Sequence, residues 1–309
     1  MNFKKIFIIP GLIIGVILLL FLYQKPINLT TIEDIKTASQ KADKGDKKAI
    51  KFLIRNLKHK NPDLQKEAYN NLIKTGKPAV PGIIKLLGDK DPVLQDYAAG
   101  ILGNIKDKES VPGLIEKLSS PDFRHKYVLC WALGEIGDTS AIGPLISLYS
   151  KEKEDTKKYI LRSLVKIGKP SVPFLLKNLD SNDINTQKLS ILALGQIGGK
   201  GLAAHIIKIA NEDNTGFVIL SLGDLADPEG IDFLIKSLKH PDWQVRQKSA
   251  QSLTRFTDKK ILPFIRTALN DDVTAVREWA AKAIECISEE KCAYKNEKGE
   301  LIYPDSLYR

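Results

Sequence analysis

Apolar residues recur along this chain on two ladders that share one period. The first runs Leu72, Leu102, Leu133, Leu164, Leu194, Leu222, Leu253 and Ile284; the second runs Leu53, Ile83, Leu114, Leu145, Leu175, Ile206, Leu234 and Ile265. Steps along either ladder are 28, 30 or 31 residues, and the ladders are offset by about nineteen. A fixed period of this size marks a stack of similar units, each too small to bury its apolar face alone and each completed by its neighbours. Eight such units fill residues 45–288.

Every unit reads as two helices. The first is an apolar stretch such as "VPGLIEKL" at 111–118 or "VPFLLKNL" at 172–179, with proline in its first turn, where a missing N–H costs nothing. A breaker follows: "NPD" at 61–63, "DP" at 91–92, "SPD" at 120–122, "SND" at 181–183 and "HPD" at 240–242. Its Asp or Asn is placed to cap the second helix. That helix ends in a recurring phrase, "GILGNIKD" at 100–107, "WALGEIGD" at 131–138 and "LALGQIGG" at 192–199, with a looser "LSLGDLAD" at 220–227. The terminal glycine suits the left-handed residue that closes a helix. The inner glycines Gly103, Gly134, Gly195 and Gly223 predict close approach of one second helix to the next.

These units resemble HEAT repeats, and in particular the short kind named for phycobilisome lyases. Val245–Arg246 and Val276–Arg277, following Asp242 and Asp272, match that family's second-helix motif. Gln65, Gln95, Lys126, Lys157, Gln187 and Thr215 stand at the equivalent arginine position and depart from it. The resemblance covers about four-fifths of the chain. It implies an all-α fold, a right-handed α-solenoid of about eight helical hairpins with the second helices on the concave side. It implies little about activity, because the family contains scaffolds, lyases and hydroxylases.

Ahead of the repeats, "MNFKK" leads into an uninterrupted apolar run, Ile6 to Tyr23, and then "QKP". Eighteen residues at about 1.5 Å each nearly match a hydrocarbon core of roughly 30 Å. No small-x-small cleavage site follows in "FLYQKPINLT", so residues 6–23 read as one transmembrane helix, with a cleaved signal peptide as the competing reading. Lys4 and Lys5 precede the run and only Lys25 follows within ten residues. That bias places residues 1–5 in the cytoplasm and the repeats outside it, in a single-pass arrangement. Residues 24–44 then form a polar linker or a short helix, and residues 289–309 a tail in which "CAYKNEKGELIYP" suggests a hairpin.

Charge alters this picture less than its total suggests. The chain carries a net +10, but residues 1–60 hold 12 Lys/Arg against 4 Asp/Glu, leaving +2 for the rest. Near-neutral repeats argue against a nucleic-acid partner. The four histidines, His59, His125, His205 and His240, are followed by Lys, Lys, Ile and Pro. The His-Glu pairs that serve the family's iron-dependent hydroxylases as metal ligands are therefore absent, as are a Gly-rich phosphate loop, a CxxC pair and HExxH. The sequence predicts no catalytic residue, metal ligand, cofactor or small-molecule substrate. Cys130 falls on the core face of its helix, whereas Cys286 and Cys292 flank the last repeat and read equally as a disulfide or as two thiols.

The functional expectation rests on the second helices. Counting from each ladder leucine as zero, positions −5 and −2 point nearly opposite to it at 100° per residue. In repeats three to six they hold Val128 and Trp131, Tyr159 and Arg162, Leu189 and Leu192, and Phe217 and Leu220. An apolar strip on an outward face marks a binding surface; the competing reading is that superhelical curvature buries it between helices. The sequence thus predicts a membrane-anchored scaffold that binds an extended protein or peptide segment along its concave face. The alternative is a subunit, catalytic or not, of a lyase-type enzyme resembling the bilin lyases.

Overall fold

The computed structural model describes residues 30–305. The apolar run at 6–23 lies outside them, and among the described residues no helix is long and apolar enough to cross a membrane. The chain begins with helix α1 (Ile32–Ala42) and continues as eight helical pairs. The first helices are α2 (Lys47–Asn56), α4 (Val80–Leu86), α6 (Val111–Leu118), α8 (Ile142–Tyr149), α10 (Val172–Asn178), α12 (Leu202–Lys208), α14 (Ile231–Ser237) and α16 (Leu262–Thr267). The second helices are α3 (Pro62–Thr75), α5 (Pro92–Ile105), α7 (Lys126–Ile136), α9 (Glu154–Ile167), α11 (Ile184–Ile197), α13 (Thr215–Leu225), α15 (Trp243–Leu253) and α17 (Thr274–Ser288).

Local chemistry sets these boundaries. Asn61, Asp91, Asp183 and Asp242 accept hydrogen bonds from backbone N–H groups in the first turns of α3, α5, α11 and α15, as their breakers predict. Asp122 does not follow the pattern. Residues 121–125 turn further before α7 begins, with Phe123 buried in the bend, and the residue preceding α7 is His125, which makes no side-chain cap. Between repeats, Asp107, Asp138, Asp227 and Asp258 each accept from the N–H two residues on, opening the 3-10 turn that leads into the next first helix. Gly137 closes α7 in the left-handed conformation, φ +73. Lys106 and Ala226 close α5 and α13 in the same conformation without being glycine.

All sixteen ladder residues are buried, and they belong to one apolar core that runs the length of the array. Successive second helices pack directly on one another, whereas first helices touch their counterparts only lightly. The more closely packed layer is the one expected on the shorter arc of a curved stack, and the row of second helices is termed the inner row on that ground.

Both ends of the stack are closed. Residues 32–42, within the segment read as linker or short helix, form α1, which packs on α2 and α3 through Ile35, Ala38 and Ala42. Its start is held by a capping box between Thr31 and Asp34. At the other end, strands β1 (Tyr294–Lys295) and β2 (Leu301–Ile302) pair antiparallel, with Tyr294 opposite Ile302. Arg277 of α17 donates through Nε to the Lys295 carbonyl at 2.7 Å and fastens the hairpin to the last repeat. Of the two cysteines flanking the last repeat, Cys292 is buried, and its backbone N–H donates to Glu285 at 2.9 Å.

Candidate partner-binding face

The inner row is built by a contact between small residues one repeat apart. A Cβ placed on Gly134 would stand 2.8 Å from Ser163 Cα, one on Gly195 2.8 Å from Ser221 Cα, and one on Gly103 2.8 Å from Ala132 Cα. No real side chain fits such a gap. The serines use the approach to bond the neighbouring backbone. Ser163 Oγ lies 2.7 Å from both the Cys130 and Tyr159 carbonyl oxygens, Ser221 Oγ donates to Ile191 O at 2.8 Å, and Ser252 Oγ donates to Ile219 O at 3.0 Å. The inner glycines therefore act as the phrase predicts. Cys130, fully enclosed beside this contact, has its thiol pushed up to about 12 by burial.

A second recurring contact joins the helices within each pair. Arg246 donates to the His240 and Pro241 carbonyls, and Arg277 to those of Asp271 and Asp272. Gln65, Gln95 and Gln187 do the same work with a neutral amide, donating to Leu57 O, Asp89 O and Leu179 O at 2.7–2.8 Å. In repeat six Asn214, not Thr215, takes the role, reaching Ile209 O. Lys126 and Lys157 instead bind Glu152 and Glu154. These departures from arginine are structural substitutes in repeats one, two and five. The sequence signal was available: a glutamine recurs four residues after the cap.

The predicted strip is less exposed than an isolated helix implies. Position −5 lies one turn before −1, the residue pressed against the preceding second helix. Leu189, one turn before the buried Ala193, is fully buried and has no surface to offer a partner. Val128, Tyr159 and Phe217 are half-buried on the same flank and pack on the core. Trp131 lays its ring over Gly103, so the glycine that admits the next helix also seats the indole. Leu192 and Leu220 are half-buried, and Arg162 is exposed. Neighbours thus cover Leu189 outright and one edge of Val128, Trp131, Tyr159, Leu192, Phe217 and Leu220, leaving the other edge of these six open along the inner row.

Aromatic rings line that row beyond the predicted positions. Tyr69 meets Tyr97 edge-on at 5.6 Å, and Tyr127 stands 5.3 Å from Tyr159. Cations cover several rings: Arg162 over Tyr159 at 5.8 Å, Lys188 over Phe217 at 5.1 Å and Lys282 over Trp279 at 4.7 Å. Lys106 and Lys166, from the repeats on either side, converge on Glu135. The hydrogen bond from Lys166 does most to hold that carboxyl below its usual range, against the cost of burial. Near the N-terminal end, a cavity of about 540 Å³ opens between α1 and α2, edged by Lys41, Lys48 and Arg55 as well as Asp34 and Asp46. Among the described residues no three His, Cys, Asp or Glu side chains gather as a metal site.

No curated protein matches this sequence. Among solved structures, the karyopherin Kap121p bound to the extreme C-terminus of the protein phosphatase Cdc14p superposes with a TM-score of 0.53 at 15% identity, over 78% of this chain and 34% of that one. Kap121p bound to Ste12p gives 0.52 at 15% identity, over 79% and 34%. The chain thus spans about a third of the karyopherin's length, and the likeness is one of fold. The complex of CpcE and CpcF of phycocyanin lyase from Nostoc sp. PCC7120 is 24% identical over 75% of this chain and 94% of that one, with a TM-score of 0.34. No functional conclusion attaches to so loose a superposition. Residues 80–156 and 215–285 match the family model of HEAT repeats.

Proposed function

We propose that this protein is a scaffold that holds an extended segment of another protein along its inner row, has no chemistry of its own, and is tethered to a membrane by residues 6–23 with the repeats outside the cytoplasm. The observation that carries the binding role is the continuity of half-open apolar side chains, Tyr97, Trp131, Tyr159, Leu192, Phe217 and Leu220, across five successive second helices. They lie on the inner side of the curve, where one elongated ligand can touch several repeats at once. An array of the same fold in Kap121p is known with protein segments bound. The tether rests on the uninterrupted apolar run and on Lys4 and Lys5 ahead of it.

The test is site-specific photocrosslinking in the full-length protein. A photoreactive residue at Leu192 is expected to give discrete adducts. The same residue at Phe174, 46% exposed on the first-helix side, is expected to give none. Adducts of equal yield at both positions, or at Phe174 alone, would overturn the inner-row assignment.

A further inference from the structure

The charges on the inner row do not balance, and the imbalance is local. From the second repeat onward most cations there have a carboxylate within 4.0 Å: Lys106 and Lys166 share Glu135, Arg255 reaches Asp224, Lys158 reaches Asp155 and Lys282 holds Glu278. Arg162, Lys188 and Lys248 have none among the described residues. Each turns instead to the apolar strip. Arg162 lies over Tyr159 and Lys188 over Phe217. Lys248, from repeat seven, comes so close to Gly216 that a Cβ on that glycine would stand 3.0 Å from its Nζ. Phe217 is thus approached by one ammonium group from repeat five, and its neighbour Gly216 by another from repeat seven.

A ring face attracts a cation only weakly where the site is exposed. A carboxylate held between charged groups gains more, because charge-assisted hydrogen bonds are about twice as strong as neutral ones. Three cations set among Trp131, Leu192, Phe217 and Leu220 therefore suit a ligand that alternates negative and apolar groups. Resting on the scaffold reading of this row, we infer that repeats four to seven select an extended acidic protein segment. Its carboxylates meet Arg162, Lys188 and Lys248, and its apolar side chains meet Leu192, Phe217 and Leu220. A polynucleotide fits less well, since Asp155 and Asp224 interrupt the row and residues 61–309 carry a net charge of only +2.

The experiment is selection of a phage-displayed random 16-residue peptide library on the full-length protein in detergent micelles. The enriched peptides are then measured by fluorescence anisotropy. Peptides rich in Asp and Glu interspersed with aromatic or aliphatic residues are expected. Their affinity should fall at least about tenfold in Lys188→Glu/Lys248→Glu, because close charge pairs at interfaces are worth this much or more. Lys188→Gln/Lys248→Gln keeps most of the aliphatic stem without the charge, and should lose affinity while its melting curve stays in place. Lys236→Glu/Lys239→Glu, away from the inner row, is expected to bind normally, and an equal loss there would overturn the inference. Enrichment of neutral or basic peptides that Phe217→Ser still weakens would overturn the acidic selection and leave the scaffold reading standing. Selection of no peptide that depends on Phe217 would overturn both. Displacement of the peptide by single-stranded oligothymidylate at similar concentration would overturn the assignment to a protein segment.

Discussion

Three kinds of glycine occupy this chain, and they answer differently to the same substitution. Gly134 is required by contact: an added methyl meets Ser163 Cα at 2.8 Å, and backbone cannot step aside. Gly134→Ala is expected to destabilise by about 1–3 kcal/mol, the usual cost of overpacking. Gly143, inside α8, has open space around a notional Cβ and no positive φ. Gly143→Ala should stabilise by roughly 0.5–1 kcal/mol, since alanine loses less backbone freedom in a helix. Thermal melts of the two variants check the pair, and equal shifts would refute the distinction. A third kind, Gly137, is favoured by conformation, since it closes α7 in the left-handed region. At that helix end Lys106 and Ala226 show that glycine is preferred but not obligatory. The inner glycine was legible in the sequence because it recurs at a fixed distance from the ladder. The covering of Leu189 was not, because a helical wheel treats each helix as if alone. In the array both flanks of a second helix are occupied, so a residue 140° from the core direction is still under a neighbour.

Between elements, the strongest polar contact is the clasp at the seventh and eighth repeats. Arg246 donates to Asp271 through two parallel bonds of 2.7 and 2.9 Å, to Asp272 at 2.7 Å, and to two carbonyls. Burial alone pushes the Asp271 carboxyl up, but the bonds from Arg246 and from the Val273 N–H outweigh it and leave it below the ordinary value. A carboxyl lowered in the folded state adds stability above its unfolded value, about pH 4, and loses it as the pH falls through the folded value. Arg246→Ala is expected to cost roughly 1.5–3 kcal/mol at neutral pH, the range for hydrogen bonds to charged groups. The deficit should narrow in acid, where the wild type loses the same contact. Urea titrations at pH 7 and pH 3 measure this; a deficit that stays constant over that range would assign the role of Arg246 to packing instead. The Val-Arg motif announced this clasp, while the glutamine version in earlier repeats went unread because the family pattern offered only arginine. The extra turn before α7 was hidden for a related reason: "SPD" carries a good capping residue, and the tertiary burial of Phe123 overrides it.

On the scale of the whole molecule the fold was largely legible. Two ladders of one period determine the order, number and pairing of helices without any knowledge of long-range contacts, because every contact in a solenoid is with the next unit. Function was less legible, since a partner leaves only the side chains it touches. The membrane arrangement is a sequence inference with its own test. Protease added to intact cells stripped of outer layers is expected to digest the repeats and spare only a short anchored fragment. Complete protection until lysis would place the repeats on the cytoplasmic side.

The regular spacing of glycines has three interruptions. In α3, in α9 and at the end of α15 the position that carries glycine at the other steps holds Ile73, Val165 and Thr254, and at the Ile73 and Val165 steps the second helices pack less closely than at the glycine-bearing ones. In mechanical terms the array is a row of stiff blocks coupled in series, and in a series the deformation collects at the softest joints. A load applied between the N-terminal end and the proposed ligand on repeats four to seven would pass through the Ile73 and Val165 joints, the Val165 joint lying within the proposed binding stretch. Bending there changes the distance between Arg162 on one side and Lys188 on the other while the spacing inside each block is kept. If the inner face holds the proposed segment, the irregularity that loosens the stack would let that face fit its reach to the segment's length.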